Sequence, residues 1–268
     1  MRGEFALESA VRHAIDTGVV TMHYQPILAQ PGQQVIAFEA LLRLRDRAGQ
    51  PIPTLPAVQL AEATGLIHRL SDVSLLAVLR DIKAWRGQGM PDIPVSVNFS
   101  GLQLSRPDFA TTLLDTLRAH QLPGTALIVE ITETAAISGD EHLAANLDQL
   151  AAAGVMIALD DFGAGHSSLT RLREMQAQII KFDAALIRDI GTSESARSFL
   201  QKTIELVNVA YPFVLLEGIE TEAQAAQAEA IGCNALQGYR YARPMSAEAV
   251  TAYLRTQDAP EPLKLSTS

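Results

Sequence analysis

Val155-Met-Ile-Ala-Leu-Asp160-Asp161-Phe-Gly-Ala-Gly-His-Ser-Ser-Leu169 is the stretch on which the fold turns. Its apolar start has the length of a fully buried strand. It stops at two adjacent carboxylates, and a turn follows in which Gly163 and Gly165 allow the backbone to reverse sharply. Two ionised carboxylates side by side repel each other unless a proton or a cation separates them. A hard divalent ion is the cation that suits oxygen ligands. Taken alone, the stretch fits a solvated polar turn equally well.

Outward from this stretch the chain alternates. Upstream, Ala126 to Ile131 reads as a strand and Glu141 to Ala153 as a helix capped by Gly154. Before them, Leu70 to Gln88 and Phe109 to His120 read as helices flanking a strand from Pro94 to Phe99. Downstream come a short helix from Ser167 to Met175 and strands at Gln178–Lys181, Phe213–Glu217 and Ala235–Gly238. Helices over Ser195–Val209, Thr221–Ile231 and Ser246–Thr256 separate or follow them. Strands separated by helices of this length imply a parallel sheet. The start differs. After a helix from Phe5 to Thr17, Val19–Ile27 and Val35–Leu44 are strands joined across a turn at Pro31-Gly32, which suggests an antiparallel hairpin. About eight strands and eight helices point to an α/β fold of the (β/α)8 barrel type, with the hairpin setting one strand antiparallel. The expected organisation is one domain over 1–256 and a disordered tail or linker over 257–268, where Pro260, Pro262 and a Ser-Thr-Ser end break any pattern.

Composition bounds the function. The chain has 268 residues, 48% hydrophobic and 19% charged, enough for one large domain. Its net charge is -9 with no basic run, which argues against long nucleic acid as a partner. No run of about 18 apolar residues is present, so no membrane span is expected. The single cysteine, Cys233, rules out an intrachain disulfide and fits a cytoplasmic protein. Six scattered histidines with no zinc-type spacing argue against an imidazole-rich metal site.

Nearly every apolar run carries a polar residue at or near its C-terminal end: Glu39, Asn98, Glu130, Asp160 with Asp161, Lys181, Glu217 and Gln237. In an α/β barrel those ends share one face, where active sites are built. Each residue alone has a plain structural reading; Lys181 could pair with Asp183, and Asn98 could open a turn. Jointly they bring five carboxylates together against one lysine. Two divalent ions would supply the missing charge, and oxygen-only ligands favour Mg²⁺, Mn²⁺ or Ca²⁺. Paired ions of this kind serve phosphodiester hydrolysis.

Phe38-Glu39-Ala40-Leu41-Leu42-Arg43 resembles the signature of the EAL domain, a family of cyclic di-GMP phosphodiesterases. Tyr24-Gln-Pro26, Glu62-Ala-Thr-Gly-Leu-Ile67, Val97-Asn-Phe-Ser100 and Glu130-Ile-Thr-Glu133-Thr extend the resemblance. The Asp160–Leu169 stretch, Ile180-Lys-Phe-Asp183, Glu217-Gly-Ile-Glu-Thr221, Gln237-Gly-Tyr and Arg243-Pro-Met245 follow in the family's order. The matches span about Leu7 to Leu254. The resemblance implies a modified TIM barrel with one antiparallel strand, and hydrolysis of cyclic di-GMP to linear 5′-pGpG. By the same resemblance Glu39, Asn98, Glu130 and Asp160 would hold one Mg²⁺ or Mn²⁺. Asp160, Asp161 and Glu217 would hold a second, with Ca²⁺ inhibitory because of its looser coordination. Lys181 would orient the attacking water and Gln237 would support it, while Glu217 is a candidate base. Arg43 would contact a substrate phosphate, with Gln25 and the backbone around Leu42 as further contacts. Glu133 would brace the glycine-rich loop. A homodimer is also implied. The departures are Ala164 and His166, where the family usually has Thr and Tyr; they put loop stability, metal affinity and regulation in question. The competing readings are a cyclic di-GMP receptor without turnover and, more remotely, an unrelated barrel enzyme of the enolase type.

Overall fold

In a computed structural model, residues 2–18, 20–46, 48–136, 138–163, 177–257 and 263 are described. A first helix, Arg2–Thr17, leads into β1 (Val20–Ala29) and β2 (Val35–Arg45). Short β3 (Pro51–Ile52) pairs with the end of β2. Then follow β4 (Val95–Asn98), β5 (Leu127–Thr132), β6 (Met156–Phe162), β7 (Ile179–Phe182), β8 (Phe213–Leu216), β9 (Ala235–Leu236) and β10 (Met245–Ser246). The strands β2, β4, β5, β6, β7, β8 and β9 are parallel neighbours. β1 runs antiparallel to both β2 and β9 and closes the ring. The result is an eight-stranded α/β barrel with one reversed strand, as the sequence implies.

The barrel is built by the period-2 alternation of strands. Outward side chains such as Val95, Val97, Leu127, Val129, Ile157, Leu159, Ile180 and Phe182 join the core beneath the helices. The long helix Ile67–Gly87 contributes Leu70, Leu75, Val78, Leu79, Ile82 and Trp85 at helical spacing. Trp85 also donates its indole N–H to the Ala247 carbonyl, and Tyr24 donates to Asp81 Oδ2 at 2.7 Å. Inward side chains form two layers. Ile27, Ala37, Ile128, Ala158, Ile179, Leu215 and Ala235 pack as an apolar floor, with Ser96 in the same row. Two residues further toward the mouth on each strand stand Gln25, Glu39, Glu130, Asp160, Lys181, Glu217 and Gln237, with Asn98 beside them.

Several boundaries differ from the sequence reading. Glu39 is mid-strand: β2 continues six residues beyond it to Arg45, because the hairpin with β1 outlasts the parallel pairing with β4, which ends at Ala40 opposite Val97. β3, β10 and the short helices Gly101–Leu104, Glu133–Ala136 and Ala184–Ile187 are too brief to carry a periodic signal. Val19 and the expected helix Ser167–Met175 fall outside the described residues. Within the expected free tail, Leu263 is anchored. Its N–H reaches the Ile36 carbonyl at 3.1 Å, and its side chain covers the apolar floor, whose shielding from water favours the contact.

Candidate active site

Lys181 is the centre of the inner polar layer. It is 1% exposed, and its Nζ lies 2.8 Å from Glu130 Oε1, 2.8 Å from Glu217 Oε1, 3.1 Å from Asp160 Oδ1 and 3.9 Å from Glu39 Oε1. These are ion pairs rather than well-aligned hydrogen bonds: Lys181 Nζ and Glu217 Oε1 find charge partners but no hydrogen-bonding geometry. Gln237 donates to Glu39 Oε2 at 2.7 Å and to Gln25 Oε1 at 3.3 Å. Asn98 donates to Glu39 Oε1 at 3.2 Å. Gln25 in turn donates to the Ala242 carbonyl at 3.0 Å. Glu39 is therefore fixed by two amides, whereas Glu130 Oε2 is buried with no hydrogen-bond partner.

The electrostatics follow from this geometry. Burial alone would drive Lys181 toward neutrality, but Glu130, Glu217, Glu39 and Asp160 overcome it and hold its pKa well above that of ordinary lysine. Burial pushes Glu130 up to about 8, even with Lys181 alongside. Glu217 rises well above the usual carboxylate range for the same reason. Without further counter-charge, the pocket lowers its own charge by keeping protons.

Asp160 and Asp161 do not stand side by side. The register between β6 and β7 shifts between Leu159 and Phe162, a bulge that inserts an extra residue. Asp160 points into the barrel, and its Oδ1 accepts the N–H of Asp161 at 3.0 Å. Asp161 takes φ 58° and lies exposed, its pKa raised by loss of hydration and by Asp160. A left-handed aspartate at a site is a strained conformation of the kind found where geometry serves function.

A pocket of about 260 Å³ opens at the mouth between Gln25, Glu39, Glu217, Gln237 and Tyr239. Its wall is two interlocked turns: Ile219 N–H bonds the Gln237 carbonyl and Arg240 N–H bonds the Ile219 carbonyl. A Cβ on Gly238 would sit 2.0 Å from the Ile219 carbonyl oxygen, so this position requires glycine. Tyr239, 50% exposed and capped by Arg243 at 4.3 Å from its ring centroid, lines the pocket. Tyr239 carries no expected role in the sequence; its place directly after Gln237-Gly is the signal that points to it.

The other expected site residues fall in three places. Arg43 lies on the inner face of the hairpin above the pocket. Leu42 points the other way, into the helical core, and its carbonyl already accepts Arg43 Nη1 and Thr54 Oγ1. Glu133 is buried at the start of its short helix, but the loop it would brace, 164–176 with Ala164 and His166, lies outside the described residues.

The EAL domain profile matches residues 8–244. The chain is 33% identical over 242 residues to the bifunctional diguanylate cyclase/cyclic di-GMP phosphodiesterase MucR of Pseudomonas aeruginosa, covering 90% of this chain and 35% of that protein. It is 32% identical over 263 residues to the cyclic di-GMP phosphodiesterase NbdA of the same organism, covering 97% of this chain and 34% of that one. A solved structure described as "PaMucR Phosphodiesterase, c-di-GMP complex" superposes with TM-score 0.84 at 33% identity, covering 91% of this chain and 99% of that chain. This protein therefore belongs to the EAL domain family. It spans about a third of the length of the curated relatives it matches. No helix among the described residues is long and apolar enough to cross a membrane.

Proposed function

We propose that the chain is a metal-dependent phosphodiesterase that hydrolyses cyclic di-GMP to linear 5′-pGpG. The observation that carries this reading is the ring of Glu39, Asn98, Glu130, Asp160 and Glu217 around one buried lysine. Relatives named as cyclic di-GMP phosphodiesterases, and a related chain solved with that nucleotide, support the substrate.

The donor set fits Mg²⁺ or Mn²⁺. All its donors are oxygens, its carboxylates outnumber its single cation, and Glu130 Oε2 is buried without a partner. Among the described residues no three acidic, imidazole or thiolate groups are arranged to hold an ion as they stand; Glu130, Asp160 and Glu217 meet on Lys181 Nζ instead. Glu39, Asn98, Glu130 and Asp160 would hold one ion; Asp160, Asp161 and Glu217 would hold a second. When bound, such ions neutralise the carboxylates, acidify water and offset charge on the phosphate oxygens. Gln237 keeps Glu39 turned toward the centre. Lys181 donates toward the attacking water and orients it. Glu217, at the mouth, would accept the proton that water loses. Arg43 presents its fork to a phosphate.

The test is incubation of the full chain with cyclic di-GMP and Mg²⁺ or Mn²⁺, followed by chromatographic separation of nucleotides. Metal-dependent pGpG that is lost in Glu39→Ala is expected, and Ca²⁺ should inhibit. Tight binding without product would replace the enzyme by a receptor; neither binding nor product would sink both readings. A homodimer, the family's expected assembly, is checked by sedimentation.

A further inference from the structure

The top of the β1–β2 hairpin stands above the ring of site carboxylates, and its two faces differ. Val20, Met22, Leu42 and Leu44 turn into the helical core. Thr21, His23, Arg43 and Arg45 alternate with them and continue the inner face that carries Gln25 and Glu39 lower down. The register sets Thr21 opposite Arg43 and His23 opposite Leu41, so His23 is a diagonal neighbour of Arg43.

These basic groups lack acidic partners. Among the described residues neither Arg43 nor Arg45 forms an ion pair; Arg43 Nη1 donates to the Leu42 carbonyl and Arg45 Nη1 to the Gly49 carbonyl at 2.8 Å. The nearest acid in sequence, Asp46, is tied into the turn, accepting the N–H groups of Ala48 and Gln50. His23 is held against the Pro244 carbonyl, and burial together with Arg43 and Arg45 lowers its pKa. The two guanidinium groups thus gather positive charge on one face, with the polar His23 ring beside them, on a chain of net charge -9, above a pocket of carboxylates.

We propose that His23 and Arg45 join Arg43 in an anion shelf that grips the phosphodiester of the cyclic dinucleotide that is not being cut. This rests on the cyclic di-GMP reading above. A cyclic dinucleotide has two phosphodiesters on opposite sides of its ring. Placing one over the carboxylate ring leaves the other to be met by protein charge higher up. Arg43 and Arg45 point the same way about 7 Å apart along the strand, and each has a planar fork suited to two phosphate oxygens. The shelf would favour ligands with two phosphates over those with one.

His23→Ala and Arg45→Ala test this with two readouts. In steady-state assays each should raise KM for cyclic di-GMP about tenfold, with a smaller change in kcat. The rise should exceed that for bis(p-nitrophenyl) phosphate, which offers a single phosphate. In EDTA, displacement of a fluorescent cyclic di-GMP analogue should weaken by a similar factor, and Arg45→Lys should recover part of the loss. Wild-type KM and wild-type binding in both alanine variants, or equal losses on both substrates, would overturn the shelf. Binding by the unchanged chain that the variants weaken, without turnover, supports the shelf and overturns the hydrolase reading. Absence of any binding by the unchanged chain overturns both.

Discussion

Gln237 Nε2 lies 2.7 Å from Glu39 Oε2, a bond that joins the residue after β9 to β2 past the intervening β1. Partners of this kind fix the orientation of a ligating carboxylate and typically alter metal affinity or activity about 10–100-fold when removed. Gln237→Ala should therefore lower turnover by at least about tenfold and raise the Mg²⁺ concentration needed for half-maximal rate. Gln237→Glu, which sets a second carboxylate against Glu39, should be worse. A Mg²⁺ titration of initial rates decides; an unchanged metal requirement in Gln237→Ala would contradict the role.

Lys181 is the single cation among Glu39, Glu130, Asp160 and Glu217. Removing one partner from a buried charge cluster costs about 3–5 kcal/mol. Lys181→Met should abolish turnover and lower the melting temperature in EDTA, with Mg²⁺ returning much of the lost stability. If melting in EDTA is the same in both proteins, the ion pairs contribute little and the account fails.

Asp161 holds its left-handed backbone at an energetic cost that glycine would not bear. Asp161→Gly is expected to raise the melting temperature slightly while turnover falls, a trade seen where strain serves function. Asp161→Asn tolerates the same backbone and removes a charge that Asp160 opposes, so it should lose activity with no loss of stability. A destabilised Asp161→Gly would show that the conformation is not strained.

Cys233 is buried, and burial pushes its thiol up to about 12 from 9.0. The folded chain keeps this proton where the unfolded chain has released it. Its contribution is intact below pH 9 and is lost as pH climbs through about 12. Tyr211 and Tyr241, pushed up to about 12 from 10.0 by burial, act in the same direction. Urea midpoints should thus fall between pH 9 and pH 11, less steeply in Cys233→Ala. The native thiol should resist iodoacetamide at pH 8; rapid labelling without unfolding would refute its burial.

The barrel and most of its polar layer were legible because strand periodicity and the oxygen-rich strand ends reinforce each other. Glu130, Asp160, Lys181 and Gln237 could be placed on one face from their position in short apolar runs alone. What could not be read is where spacing ceases to report direction. Asp160 follows the strand alternation inward, but the bulge before Phe162 and the left-handed backbone of Asp161 set the second carboxylate apart, although the two look equivalent in a sequence. The length of β2 beyond Glu39 depends on pairing with β1, a contact between distant rungs that no local window contains. Leu263 reads as tail because its partner, Ile36, is far away in the chain.

The reversed strand has a mechanical consequence. In a barrel of parallel strands alone, loops at the mouth can absorb movement before it reaches the wall. Here β1 and β2 form one ladder from the tip at Val20 and Leu44 down past Gln25 and Glu39, with no loop between. The first helix packs beside β2. A tilt applied through that helix would reach Glu39, and its bond to Gln237, along a continuous two-stranded ribbon. The hairpin is one continuous lever between the helical layer and the site, held at its top by β3, β10 and the helices packed on it.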